Sequence, residues 1–125
     1  MKTSPLDDYN PIFKIYTLGK FDVLKDGESL VLSSSGSKKI WELYKFMLTH
    51  RDRSFTPESL TDQLWVSESY NDPRSTLRRQ MHRLRQSLLE EDEKTPYKTL
   101  LFNNGYYKWN DKLNVDVDAD RFEAY

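Results

Sequence analysis

The chain has 125 residues, of which 37% are hydrophobic and 31% are charged, and its formal net charge is -1 at pH 7. This length and composition predict one soluble globular domain, and no apolar run is long enough to cross a bilayer. The absence of cysteine excludes disulfides and thiolate metal ligands and agrees with a reducing, cytoplasmic location. Residues 1–11 are polar and acidic without a secretory signal, so they are predicted to be a flexible leader.

Three short strands are predicted next, in residues 12–32, which contain the segments IFKIYTL, FDVLK and ESLVL. The dipeptide Asp26-Gly27 separates the second segment from the third and predicts a tight hairpin turn. Gly19 marks a turn or bulge between the first and second segments. These features predict an antiparallel N-terminal sheet, to which a later segment can add a fourth strand.

Two helices follow the strands. Residues 38–50 repeat apolar side chains at helical spacing, after a Ser/Gly loop at residues 33–37 whose serines can cap the helix. Its predicted inward face consists of Ile40, Leu43, Tyr44 and Met47, with Trp41 and Phe46 at the edges. The pair Thr56-Pro57 is a typical helix start and predicts a second, shorter helix at residues 58–65, with Leu60 and Leu64 inward.

Residues 73–89 read PRSTLRRQMHRLRQSLL, with five arginines, one histidine and no acid. Asp72 can cap a helix here, and Pro73 suits its first position. At about 100° per residue, an apolar stripe suited to core packing falls within about 60° on one side: Leu77, Met81, Leu84 and Leu88. The opposite side gathers Ser75, Arg79, His82, Arg83 and Gln86, with Arg78 and Arg85 on its flank. This layout is typical of a helix presented to a polyanion, because Arg and Gln can read base edges in a major groove.

A basic helix face has an alternative explanation, since such faces are often merely solvated or paired with acids elsewhere in the chain. Acids at a spacing of three or four would provide that pairing within the helix, but they begin only at Glu90. Both interpretations stay open at this point.

A second hairpin is predicted from residues 97–102 and 106–109, because Asn103-Asn104-Gly105 between them is a strong tight-turn sequence. Residues 111–125 are predicted to be an acidic linker that leads into a further C-terminal domain, with a helix beginning at residue 119.

The segments LGKFDVLKDGESLVL, KKIWELYKFMLTH, SFTPESLTDQLW, RSTLRRQMHRLRQSL and GYYKW, in this order and spacing, resemble the OmpR/PhoB-type winged helix. The resemblance covers residues 12–110 and is closest to the antibiotic-regulatory-protein branch of bacterial transcriptional activators. It implies an α+β fold: a winged helix-turn-helix with an N-terminal antiparallel sheet, three helices and a C-terminal β-hairpin wing. It also implies sequence-specific binding of double-stranded DNA by a transcription regulator, with the third helix in the major groove.

The resemblance further implies roles for individual residues. Arg79 and Arg83 fall where the family reads bases, and the helical wheel selects the same two arginines independently. Gln86 lies two turns along the same face and is expected to contact bases as well. The expected DNA backbone contacts are Arg74, Ser75, Arg78, Gln80, His82 and Arg85. Several relatives carry an arginine near the wing tip, and its absence here leaves Asn103 and Asn104 as the expected wing contacts. The loop at residues 66–72 is expected to face RNA polymerase, and relatives often bind direct repeats as dimers.

Other kinds of site are disfavoured by the sequence. Asp116, Asp118 and Asp120 begin like a calcium loop, but Arg121 stands where that loop needs glycine. No nucleophile–base pair, glycine-rich phosphate loop or metal-ligand spacing is visible, so we expect neither catalysis nor a cofactor.

Two alternatives to duplex DNA remain: a protein-interaction winged helix, and an RNA or single-strand binder. Exposed aromatic residues on the wing would support the single-strand binder.

Overall fold

The computed structural model describes residues 11–33, 38–65, 71–90 and 98–123. Within these ranges the chain is α+β, with two sheets and five helices. None of these described helices is long and apolar enough to span a membrane. In chain order the elements are β1 (Phe13–Tyr16), β2 (Asp22–Lys25), β3 (Glu28–Ser29), α1 (Leu30–Ser33), α2 (Lys38–Thr49), β4 (Ser54–Phe55), α3 (Pro57–Leu64), α4 (Pro73–Ser87), β5 (Leu100–Asn103), β6 (Tyr106–Trp109), β7 (Val115–Val117) and α5 (Asp118–Glu123).

The described residues form two compact units, and the first comprises residues 11–33 and 112–123. Its four-stranded sheet has the order β3-β2-β1-β7, with β1 antiparallel to β2 and parallel to β7. Asp26 and Gly27 have φ values of 53° and 81°, as the predicted two-residue turn requires. The predicted hairpin is therefore confirmed.

The third predicted strand is shorter than expected, because Leu30–Ser33 is helical. Ser29 explains the change. Its hydroxyl donates to the Asp22 carboxylate at 2.6 Å and accepts from the Leu32 amide at 3.1 Å, which caps a helical turn. Local capping thus overrides the strand preference of Leu30 and Val31.

The C-terminal stretch also differs from the expected linker, because Val115–Val117 forms β7 and pairs with β1. The Asp118 carboxylate secures this return: it accepts from the Thr17 amide at 2.9 Å, the Thr17 hydroxyl at 2.8 Å and the Leu18 amide at 3.0 Å. Burial of Asp118 acts to raise its pKa, but the hydrogen bonds from Thr17, Leu18 and Ala119 outweigh it and lower the pKa. Asp118 is therefore a structural group that ties the end of β7 to residues 17 and 18.

The second unit comprises the described residues between 38 and 111. Helices α2, α3 and α4 pack against one another, and β4, β6 and β5 form a three-stranded sheet in that order. The predicted inward face of α2 is confirmed, since all four of its residues are buried. Leu64 is only half-buried, however, and Thr61 and Trp65 are buried beside Leu60 instead.

Strand β4 was not predicted, because two residues carry no periodic signal. It pairs with β6 through Phe55 and Tyr107. The next residue, Thr56, caps α3 as expected: its hydroxyl accepts from the Ser59 amide at 3.1 Å. The connection between α2 and α3 is thus a strand of the sheet and not a simple loop.

The end of α4 holds a leucine in a left-handed backbone conformation. The Leu89 amide donates to the Gln86 carbonyl at 3.1 Å and the Glu90 amide to the Arg85 carbonyl at 2.8 Å, the pattern of a Schellman motif. Leu89 has a φ of 61°, where an L-residue other than glycine is strained, and its side chain is 62% exposed.

We expect Leu89→Gly to raise the free energy of unfolding by about 1 kcal/mol, because glycine adopts this φ without steric cost. Urea denaturation would measure the change. Leu101→Gly is the control, since Leu101 is also exposed but lies in a strand at negative φ, where glycine destabilises. A loss of stability in Leu89→Gly would contradict the prediction.

Candidate nucleic-acid interface

The start of α4 is fixed by Asp72, as predicted. Its carboxylate accepts from the Ser75 amide at 3.2 Å and from the Ser75 hydroxyl at 2.8 Å. The Ser75 hydrogen bonds, the side-chain bond first, lower the pKa of Asp72, so an anion stands at the positive end of the helix dipole. Pro73 occupies the first turn, where a missing amide proton costs nothing.

The inner face of α4 is the predicted apolar stripe, and the stripe is confirmed. Leu77, Met81, Leu84 and Leu88 are each at most 2% exposed. Thr76 is buried beside them, and its hydroxyl donates to the Asp72 carbonyl at 3.1 Å. This face packs on α2 and α3, so the opposite face has a fixed orientation in the second unit.

The outer face of α4 carries mostly cationic and amide side chains over about half of the helix circumference. Six of its side chains are exposed and two, Ser75 and Arg85, are half-buried. The exposed six are Arg74, Arg78, Arg79, His82, Arg83 and Gln86. The three expected base contacts, Arg79, Arg83 and Gln86, therefore share one accessible face.

Positive charge on this face is largely uncompensated within the described ranges. The Arg74 Nε lies 3.8 Å from a Glu58 carboxylate oxygen, but both side chains are more than half exposed, so the pair adds little stability. No carboxylate of a described residue lies within ion-pair distance of Arg78, Arg79, Arg83 or Arg85. An anion from outside the described part of the chain can therefore approach these guanidinium groups.

Gln80 does not share the outer face. It is half-buried at the border with the apolar stripe, where the helical wheel also places it, and its Oε1 is buried without a hydrogen-bond partner among the described residues. Gln80 is thus an expected backbone contact whose side-chain oxygen is buried.

The β5–β6 hairpin ends in the predicted tight turn. Asn104 and Gly105 have φ values of 54° and 86°, and Asn103 and Asn104 are exposed at the tip. The three tryptophans are buried, as expected of core residues. Phe102 and Tyr106 differ from that expectation, because they are 52% and 49% exposed. Exposed aromatic residues on this hairpin are the feature that the RNA or single-strand alternative predicts.

A cleft of about 210 Å³ separates α4 from the hairpin. Its floor is Met81 and Pro57. On one side stands the arginine flank of α4, defined as Arg74, Arg78 and Arg85, and on the other stand Phe102 and Tyr107. Burial raises the pKa of Tyr107, and the nearby positive charges of Arg85 and Arg78 only partly offset it, so the hydroxyl stays protonated.

Phe102 and Tyr107 were not among the predicted site residues, although the turn could have indicated them. A two-residue loop at Asn104-Gly105 pairs Asn103 with Tyr106 and Phe102 with Tyr107. Alternation then puts Phe102 and Tyr107 on the same side of the sheet.

Part of the expected interface lies outside the described residues. Of the loop at residues 66–72, only Asn71 and Asp72 are described, and the Asp72 carboxylate is engaged in capping α4. The predicted leader is described only at its last residue, Pro11.

Among known proteins, no family model matches this sequence and no curated protein matches it.

Proposed function

We propose that the chain is the DNA-binding domain of a bacterial transcription regulator in the cytoplasm, with a winged helix-turn-helix that binds duplex DNA sequence-specifically. One observation carries the proposal: α4 has a buried apolar stripe on one side and, on the other, an exposed cationic face on which only Arg74 has a carboxylate of a described residue within ion-pair distance. The packing of α2, α3 and α4 beside a hairpin supports it, because a winged helix-turn-helix uses these parts.

In this proposal α4 enters the major groove, which is about 12 Å wide and admits a helix. Arg79 and Arg83 lie one turn apart, and each guanidinium can form two hydrogen bonds with guanine O6 and N7. The side-chain amide of Gln86 can likewise form two hydrogen bonds with adenine, at N6 and N7. Arg74, Ser75, Arg78, His82 and Arg85 then contact phosphates and fix the register, and Asn103 and Asn104 reach the backbone from the hairpin tip.

We also propose two protein partners, RNA polymerase and a second copy of the chain. Residues 66–72 would face RNA polymerase, and two copies of the chain would occupy direct repeats about one helical turn apart. Neither partner requires a cofactor or a catalytic group.

A second candidate is a protein-interaction winged helix that docks RNA polymerase or a partner regulator without reading DNA. One observation favours it: the hairpin exposes the side chains of Leu101 and Tyr106. Salt weakens both kinds of complex. A steep linear fall of log affinity with log salt, together with competition by unrelated duplex DNA, is specific to nucleic-acid binding.

The experiment that tests the proposal is in vitro selection from random duplex DNA, with wild type and the Arg79→Ala/Arg83→Ala double variant in parallel. We expect wild type to enrich a short motif and the double variant to enrich none. Circular dichroism provides the folding control, because both replaced side chains are exposed and their loss leaves the fold intact. If folded wild type enriches nothing, specific DNA binding by this chain is refuted.

A further inference from the structure

The cleft between α4 and the β5–β6 hairpin combines positive charge with an exposed aromatic ring. An isolated exposed phenylalanine is ordinary on a protein surface. Phe102 is different because it lines the same cleft as the three arginines of the arginine flank, of which only Arg74 has a described acid within ion-pair distance. A ligand for this cleft must carry negative charge and, beside it, apolar surface.

The register of the hairpin explains why the ring is exposed. Leu100, Phe102, Tyr107 and Trp109 occupy one side of the sheet, and all but Phe102 are buried. Phe102 packs against Tyr107, with ring centroids 4.5 Å apart, but the core ends there and half of the ring stays uncovered. The exposed half therefore lies in the cleft lined by the arginine flank, while the other half contacts the Tyr107 ring.

The volume limits the kind of ligand. At about 210 Å³ the cleft is smaller than the roughly 300–1,000 Å³ of pockets that enclose a free cofactor or effector. One phosphate group of a longer strand needs less room, since its neighbours continue outside the cleft. Arg78 and Arg85 can donate to the phosphate oxygens, and Tyr107 lines the same cleft.

We infer that this cleft receives a phosphodiester of one strand of duplex DNA, with the exposed half of the Phe102 ring packed against the adjoining deoxyribose. The inference rests on the proposed function and adds a contact that is apolar and independent of charge. Phe102 thus holds the strand at a set distance from α4, while Arg78 and Arg85 neutralise the phosphate.

The test measures the affinity of the full chain for a labelled random-sequence duplex about two helical turns long, over a range of salt concentrations. We expect Phe102→Ala to weaken binding by about 3- to 10-fold, as burial of half a phenylalanine side chain predicts, with the salt dependence unchanged. Arg85→Ala should instead lower the slope of log affinity against log salt by about 1.

Tyr106→Ala is the matched control, because Tyr106 is as exposed as Phe102 but lies on the other side of the same hairpin. We expect it to bind like wild type, and thermal unfolding of each variant shows whether it is folded. Equal binding by Phe102→Ala and wild type would overturn the inference, as would an equal loss in Tyr106→Ala.

Two further probes separate the possible sources of the phosphate. Single strands of the same length should bind more weakly than the duplex, and free thymidine monophosphate should not compete at a comparable concentration. Tighter, Phe102-dependent binding of either probe would overturn the duplex assignment. If folded wild type binds no duplex at all, the proposed function fails together with this inference, whereas loss of the Phe102 effect alone leaves the proposed function standing.

Discussion

Replacing Arg79 or Arg83 with Ala is expected to weaken binding to a selected DNA site by about 1–3 kcal/mol and to relax the preference at one base position. Both side chains are exposed on the outer face of α4, and no described carboxylate lies within ion-pair distance of them. A guanidinium that donates two hydrogen bonds to guanine loses both when it is truncated. The other three bases cannot accept such a pair in the same geometry, so the discrimination is lost with the side chain.

The measurement compares each variant with wild type on the selected site and on every single-base change of it. Arg74→Ala is the control, because Arg74 is an exposed arginine on the flank of α4. It is expected to contact the DNA backbone and not the bases. Its loss should weaken binding to all sequences about equally and lower the salt slope by about 1. If Arg79→Ala and Arg83→Ala behave like Arg74→Ala, these arginines contact phosphate and do not read bases.

The features of α4 could be predicted because they are local. Asp72 and Pro73 mark its start within one turn, and the apolar stripe repeats at helical spacing over about three turns, so the inward and outward faces follow from the sequence alone. The two hairpin turns are local in the same sense, since Asp26-Gly27 and Asn104-Gly105 supply the positive φ values themselves.

Features that depend on distant residues could not be predicted in this way. The carboxylate of Asp118 joins a residue 101 positions earlier, Thr17, so the return of β7 to the N-terminal sheet leaves no local pattern. The cleft needs both the side-chain periodicity of α4 and the register of the hairpin. The sequence predicts each of these two features separately, but whether α4 and the hairpin lie next to each other depends on tertiary packing.

The environment of Glu90 was not predicted either. Glu90 begins a run of acidic residues that is typical of a solvated surface, yet its side chain is only 2% exposed. Its carboxylate accepts from the Thr99 amide at 3.1 Å and also from the Thr99 hydroxyl, while its carbonyl accepts from the Lys98 ammonium. Burial raises the pKa of Tyr44, and the negative charge of Glu90 raises it further.

We expect Glu90→Ala to lower the free energy of unfolding by about 2–4 kcal/mol, because it leaves the amide and hydroxyl protons of Thr99 buried without their acceptor. Glu90→Gln should cost less, since its amide oxygen still accepts one of the two hydrogen bonds. Urea denaturation measures both variants, with Glu42→Ala as the control. Glu42 is exposed on α2, so its truncation should change stability by less than about 0.5 kcal/mol.

A double-mutant cycle with Thr99→Val isolates the interaction, because valine removes the hydroxyl but keeps the shape and the amide. We expect the two substitutions to be less than additive, since either one breaks the bond between Glu90 and the Thr99 hydroxyl. Strict additivity, or a Glu90→Ala protein as stable as wild type, would show that this buried carboxylate does not hold α4 to β5. The bond also matters for the proposed contact with DNA. Glu90 follows the last turn of α4 and Thr99 precedes β5, so their bond links the end of the helix that carries the arginine flank to the start of the strand that carries Phe102.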